Sequence, residues 1–203
     1  MRRRPVLIAI VGGSGSGKSW LAERLLETVG VKALRLSLDD FYRDRSHLSP
    51  ARRARLNFDH PRAIDWPAFE RALLQLSKGR TVRVPRYDFS THSRRARWER
   101  LQPRALILVE GLWLLKRPAI RRLFGLRLFL ECPTSVQLRR RLARDLASRG
   151  RSRASVLAQF RNTVQPMQLR HVTPQARWAD AILSGQMTGK DLRSLIARVR
   201  QLL

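Results

Sequence analysis

Residues 12–19 read Gly-Gly-Ser-Gly-Ser-Gly-Lys-Ser and carry the spacing G-x-x-x-x-G-K-[ST]. A loop of this kind aims backbone N–H groups at phosphate oxygens, and glycine lets the chain bend there without a Cβ clash. The helix that follows adds its positive N-terminal end. Gly12, Gly13, Ser14, Gly15, Ser16 and Gly17 form the cradle, the Lys18 amine reaches the β- and γ-phosphates, and the Ser19 hydroxyl is placed to ligate Mg²⁺. The context fits, since an apolar strand pattern ends at Val11 and a helical pattern begins at Lys18. This chemistry specifies a nucleoside triphosphate and Mg²⁺ and leaves the acceptor open.

Two further apolar runs lead into acids: Leu36-Ser37-Leu38 into Asp39-Asp40, and Leu106-Ile107-Leu108-Val109 into Glu110-Gly111. Ligands of open α/β sheets bind beyond the carboxyl ends of the strands. Asp39, Asp40 and Glu110 are therefore expected near the γ-phosphate, one orienting a metal-bound water and one accepting a proton from an attacking hydroxyl. Solvent-facing acids in loops are the competing reading for Asp39 and Asp40. It suits Glu110 less, because an acid after five apolar residues stands where a Walker-B-like group belongs. The spacing fits a kinase or an ATPase alike.

The elements that must position these groups are legible as alternating patterns. Apolar runs at 6–11, 33–38, 105–109, 126–130 and 181–183 read as strands buried on both faces. Helical patterns at 18–28, 66–78, 118–124, 134–148, 154–165 and 191–203 lie between or after them. Asp65 caps the second of these with Pro67 in its first turn, and Pro166 is expected to end the fifth. The expected fold class is α/β, a three-layer P-loop sandwich with a mostly parallel five-stranded sheet and helices on both faces. The stretch 81–89 breaks the alternation, and Pro85 argues against a central strand there, so it reads as a small β excursion.

The chain has 203 residues, 43% of them hydrophobic and 28% charged, which suits one globular domain spanning 1–203. The single cysteine, Cys132, excludes an internal disulfide and a multi-cysteine zinc site. No apolar run is long enough for a membrane span, and a reducing cytoplasm is the expected location. Lys+Arg 42 against Asp+Glu 15 gives a net charge of +27, nearly all of the excess being arginine. Such a field attracts polyanions. The arginines are nevertheless spread along the whole chain, as a solvated basic surface would be. Nucleic acid is not the expected partner, although the charge leaves it as an alternative.

Four more segments decide between the enzyme classes. They are Ser37-Leu38-Asp39-Asp40-Phe41-Tyr42, Asn57-Phe58-Asp59-His60-Pro61, residues 85–94 (Pro-Arg-Tyr-Asp-Phe-Ser-Thr-His-Ser-Arg), and Arg140-Arg141-Leu142-Ala143-Arg144-Asp145 with Arg149-Gly150-Arg151. Their order and spacing resemble the uridine/cytidine kinase family, P-loop nucleoside kinases of the phosphoribulokinase/uridine kinase superfamily. The resemblance runs from about Val6 to Ile182. It implies transfer of the γ-phosphate of ATP or GTP to the 5′-hydroxyl of uridine or cytidine in pyrimidine salvage, with Mg²⁺.

Residue by residue, the resemblance makes Asp39 the catalytic base, sharing a metal-bound water with Glu110. Asp40 stands where the family often has serine and is secondary. Asp59 matches the acid that grips the ribose 2′- and 3′-hydroxyls, and Gln159 a ribose-contacting glutamine. Tyr87, Phe89 and His92 match the residues around the pyrimidine, with Tyr42 as a pocket wall. A histidine can face uracil O4 or the cytosine amino group, depending on its tautomer. Arg141, Arg144 and Arg149 match an arginine-rich helical lid at about 139–153, with Arg149-Gly150-Arg151 as its hinge. Their forks neutralise charge on the transferred phosphoryl group, whereas Arg139 and Arg140 are expected on a solvated face. The acceptor-site excursion spans about 40–100. The resemblance also implies a homo-oligomer, a tetramer.

Trp20 departs from the family, which commonly has a small residue there, and Trp98, Trp113 and Trp178 receive no role beyond packing. Two rivals stay open. A related P-loop kinase could act on another hydroxyl, such as that of a phosphoribulose or a pantothenate, and an RNA-binding P-loop ATPase could use the basic surface. An aromatic slot for a base discriminates against the first, and a steep salt dependence of RNA affinity would mark the second.

Overall fold

The computed structural model describes residues 4–203. Five parallel strands make the central sheet: β1 (Val6–Gly12), β2 (Ala33–Ser37), β7 (Leu106–Gly111), β8 (Leu126–Glu131) and β9 (Ala181–Ser184). They lie in the order β2-β7-β1-β8-β9. β1 sits in the middle, and neither neighbour is next to it in the chain. The crevice beyond its carboxyl end is thus the place where such sheets bind ligands.

The apolar run of β1 faces two layers at once. Leu7, Ala9 and Val11 point into one core, with Phe69, Leu73 and Leu76 of α3 (Trp66–Ser77). Ile8 and Ile10 point into the other, with Leu21 and Leu25 of α1 (Lys18–Thr28) and Leu195 and Val199 of α8 (Gly189–Gln201). Period-two alternation between two covered faces is why this strand shows no polar positions. The three layers and parallel sheet are those expected of the sequence.

Between β2 and β7 the chain leaves the sheet. It forms a short helix α2 (Pro50–Ala54), then α3, then two small antiparallel ribbons. β3 (Val82–Val84) pairs with β6 (Glu99–Leu101), and β4 (Tyr87–Asp88) with β5 (Ser93–Arg94). α4 (Pro118–Arg121), α5 (Thr134–Ser148), α6 (Arg153–Gln159) and α7 (Gln165–Met167) complete the set. The Asp65 carboxylate caps α3 by accepting from Ala68 N at 3.2 Å, as its position before Pro67 suggests.

Several boundaries differ from the sequence expectation, and four have a clear physical cause. β2 stops at Ser37, and residues 38–41 close a 3-10 turn in which the Ser37 hydroxyl accepts from Asp39 N. β7 continues through Glu110 and Gly111, so Glu110 is a strand residue and not the first residue of a loop. α8 starts at Gly189 because Thr188 and Asp191 form a reciprocal capping box.

The fourth difference is that helical structure does not end at Pro166. The segment beginning with α6 runs on as wide π-helical turns at 160–164 and 168–172, then a 3-10 turn at 173–178. Gln165 N donates to Phe160 O and Thr173 N to Gln168 O, each five residues back. The first widening opens the turn that the ring of Pro166 would otherwise clash with. Trp113 is fully buried, the guanidiniums of Arg121 and Arg177 lie 4.4 and 4.2 Å from the Trp178 ring, and Trp98 is exposed.

Candidate active site

The phosphate loop joins β1 to α1. Gly15 (φ 80°) and Gly17 (φ 104°) take the left-handed backbone that only glycine adopts without strain. A Cβ on Gly15 would also fall 2.6 Å from the carbonyl oxygen of Gln137, so the loop packs directly on α5. Lys18 reaches back over the loop and donates to Gly13 O at 2.8 Å. Burial lowers its pKa, Glu110 and Asp39 push back, and Arg144 lowers it further. Sixteen of the residues singled out from the sequence line a single cleft. Gly12, Gly13 and Ser16, buried within the loop, and Asp40 do not.

The acids divide their work. The Ser19 hydroxyl donates to one oxygen of Glu110 at 2.8 Å, and Arg35 of β2 donates to the other from its Nε at 2.8 Å. Glu110 is buried with its charge compensated by Arg35. It holds the Ser19 oxygen with its lone pairs turned away from the bond. A serine hydroxyl beside the carboxylates of Asp39 and Glu110 is a hard-oxygen set that suits Mg²⁺ and would leave most of its shell to phosphate and water. Asp39 has its pKa raised, first by burial and then by Glu110, while Lys18, Arg149 and Arg144 oppose the rise. Asp40 turns elsewhere: its carboxylate pairs with Arg86 and accepts from Tyr87 N at 3.3 Å, pinning β4 to the end of β2.

Across the cleft is an aromatic box. The Tyr42 and Tyr87 rings are 5.0 Å apart, Tyr87 and Phe89 5.2 Å, and Phe58 lies flat on His92 at 4.6 Å and 10°. The Tyr42 hydroxyl donates to Phe58 O, leaving its ring fixed as a wall. His92 holds a left-handed backbone (φ 51°), which is costly for a residue with a side chain and here aims the imidazole inward. Its Nδ1 and the Tyr87 hydroxyl are buried without hydrogen-bond partners. Burial and the cations Arg151, Arg149 and Arg53 lower the His92 pKa, so the ring is neutral at pH 7. Such a box takes a flat heterocycle whose edge satisfies the two orphaned groups.

Asp59 faces this box from the turn after Asn57, whose side chain accepts from Asp59 N at 2.9 Å. Its carboxylate has only long contacts, 3.4 Å to Thr163 Oγ1 and 4.0 Å to Arg141. Burial raises its pKa, and Arg141 and Thr163 counter that. Two carboxylate oxygens with so little protein bonding are available to a pair of hydroxyls.

The basic wall comes from α5 and the segment after it. Arg141 is buried and donates to Ser14 Oγ at 3.0 Å and to Gln159 Oε1 at 2.8 Å, tying the phosphate loop to α6. Arg144 and Arg149 reach the same cleft, Arg149 lying 4.2 Å over the Phe89 ring. Gly150 turns the chain at φ 60° with open space around its α-carbon. Arg140 does not lie on a solvated face. Its Nη1 is 3.0 Å from Gly185 O and 3.4 Å from both Gly15 O and Ser16 O, because α5 packs against the loop along that side.

Sequence reasoning passed over several contributors. Phe58 was visible only as part of a motif, and its stacking partner is 34 positions away in the chain. Arg35 is a charge inside a strand pattern and Thr163 lies in a helix, so neither announces a site. Arg151 joins Gln159, and Trp20 lines the cleft mouth with 45% of its surface exposed.

The sequence pattern of the phosphoribulokinase / uridine kinase family matches residues 7–190. The chain is 41% identical to a uridine kinase of Chloroflexus aggregans over 186 residues, 91% of this chain and 89% of that one. It is 39% identical to a uridine kinase of Deinococcus deserti over 199 residues, 97% and 96% of the two chains. Among solved structures, the phosphoribulokinase from Rhodobacter spheroides superposes with a TM-score of 0.65 at 18% identity, over 89% of this chain and 70% of that one. That likeness speaks for the fold alone.

Proposed function

The chain belongs to the phosphoribulokinase/uridine kinase family, and from that premise we propose that it is a uridine/cytidine kinase. In this reading the whole chain works as one kinase unit that moves the γ-phosphate of ATP or GTP to the nucleoside 5′-hydroxyl, giving UMP or CMP. The observation that carries the reading is the single cleft joining the phosphate loop and Asp39 to Asp59 and the aromatic box. A flat base enters the box, with His92 and Tyr87 meeting its edge and Asp59 accepting from the 2′- and 3′-hydroxyls. Pyrimidine salvage in the cytoplasm, and a tetrameric assembly, follow from the family resemblance.

Asp39 takes the proton of the 5′-hydroxyl as the oxygen bonds to the γ-phosphorus and the bond to the β–γ bridging oxygen breaks. A carboxylate suffices because the hydroxyl becomes acidic only as the new bond forms, and its raised pKa makes it a somewhat better base. Lys18, Arg144 and Arg149 neutralise charge on the phosphates, and Arg141 spans the donor loop and the ribose side. Ser19, Asp39 and Glu110 would hold Mg²⁺, partly through water, and the ion would supply charge stabilisation to the transferring phosphoryl group. Most of the rate gain comes from positioning and charge, and closing the arginine wall keeps water from taking the phosphoryl group.

The test is ADP release with Mg·ATP and a panel of uridine, cytidine, 2′-deoxyuridine, adenosine, pantothenate and ribulose 5-phosphate, with RNA in a separate arm. Turnover of uridine or cytidine with little of the deoxy form supports the reading. Turnover only of pantothenate or the sugar phosphate, or hydrolysis that needs RNA and fails at high salt, overturns it.

A further inference from the structure

The inward stripe of α5 is not apolar. Its buried residues are Gln137, Arg141 and Asp145, spaced by four along one helix face. Asp145 has no exposed surface and does not itself line the cleft. Its two oxygens serve different arginines. Oδ2 lies 3.3 Å from Arg141 Nε, on the ribose side. Oδ1 lies 2.8 Å from Arg144 Nε and 3.5 Å from Arg149 Nη1, on the phosphoryl side. The main chain repeats the arrangement, for Asp145 O accepts from Arg149 N at 3.3 Å and from Arg151 N at 3.4 Å, across the Gly150 turn.

We propose that Asp145 is a positioning residue for phosphoryl transfer, a single buried carboxylate that holds Arg141, Arg144 and Arg149 in register around the two substrates. A buried carboxylate with three guanidiniums is not needed to close this core, since an apolar residue could fill the space without the desolvation cost. What it supplies is order among like charges. Burial pulls the pKa of Arg141 and Arg149 down, and Asp145 is one of the charges that push back. Without it three cations crowd one wall beside Lys18. Arg144, whose side chain is 39% exposed, and Arg149, at 21%, have room to swing into solvent. They would then stand away from the phosphoryl group, and a displacement of this kind can cost roughly 100-fold in rate.

The inference rests on the kinase reading above, and the experiment separates the two. Steady-state kinetics with uridine and ATP are measured for Asp145→Asn, Asp145→Glu, Arg149→Gln and the Asp145→Asn/Arg149→Gln pair, with a thermal melt for each. Asp145→Asn is expected to keep its melt within a few degrees and lose kcat about 100-fold, with each KM changed less than tenfold. Asp145→Glu keeps the charge and should recover at least tenfold of that loss, which also serves if the asparagine variant fails to fold. In the Arg149→Gln background, adding Asp145→Asn should cost less than in the parent, because part of what Asp145 does runs through Arg149. Fully additive losses, or a kcat for Asp145→Asn near that of the parent, overturn the proposal while leaving the kinase reading intact. An Arg149→Gln variant with unchanged kcat overturns the arginine roles and the proposal together.

Discussion

Replacing Asp59 with alanine tests the proposed ribose contact. Its carboxylate is 12% exposed and makes no short bond to the protein: Thr163 is 3.4 Å away and Arg141 4.0 Å. Both oxygens can therefore accept from the 2′- and 3′-hydroxyls of a bound nucleoside. A hydrogen bond to a charged group contributes about 1.5–3 kcal/mol, so losing two, with water partly replacing them, costs about 3 kcal/mol. That is roughly a 150-fold fall in kcat/KM for uridine, since 1.4 kcal/mol is tenfold. Arg141 loses one compensating charge but keeps Ser14, Gln159 and Asp145, so the KM for ATP should stay within about threefold. The assay is ADP release with each substrate varied in turn, using uridine and 2′-deoxyuridine as acceptors. Preference for the ribonucleoside should nearly vanish in the variant, while Asp59→Asn, with one acceptor left, should fall between. Equal rises in both KM values, or an unchanged ribose preference, would refute the placement of Asp59 at the sugar.

Asp39→Asn should lower kcat by 10²–10⁴, about what a positioned general base contributes, while ATP binding by equilibrium titration survives; an unchanged kcat would remove the base assignment. The folded-state pKa of Asp39 is raised, so its ionisation opposes folding, and stability falls as pH climbs from the unfolded value through the raised one. The same variant should therefore melt higher than the parent at pH 7, and the parent's kcat should rise with pH through the raised pKa to a plateau. Phe58→Leu removes the ring stacked on His92 and should raise the uridine KM several-fold with little change for ATP, checked by the same kinetics. Leu73→Ala opens a hole in the core under α3 and should cost about 3 kcal/mol, read as a lowered thermal midpoint with the acceptor preference unchanged.

The five strands of the sheet are all visible in the chain as short apolar runs; burial on both faces removes polar positions from the inner strands, whereas the edge strands β2 and β9 are only partly buried yet stay mostly apolar. The phosphate loop is equally plain, since its glycines, lysine and serine are consecutive. Errors fell where a neighbour distant in sequence outweighed a local cue. Pro166 is a local stop signal, yet wide turns on either side let helical structure pass it. The apolar run at 105–109 stops one residue short of Glu110, which β7 includes because Ser19 and Arg35 satisfy its carboxylate inside the strand. Arg140 reads as one arginine among many, and only the packing of α5 on the loop turns it inward.

By itself the amino-acid order determined the alternation of strand and helix, the glycine-rich loop, and through the family's motifs most of the residue types that line the cleft. These are properties of neighbours in the chain, set by backbone sterics, side-chain periodicity and spacing. Tertiary structure alone decided which side chains share the cleft and which way burial and neighbouring charges push their proton affinities. Phe58 meets His92, Arg35 neutralises Glu110, Asp40 leaves the site for Arg86, and Asp145 gathers three arginines. Burial sets the proton affinities of Asp39, Asp59 and His92, and burial exists only once distant segments have packed together.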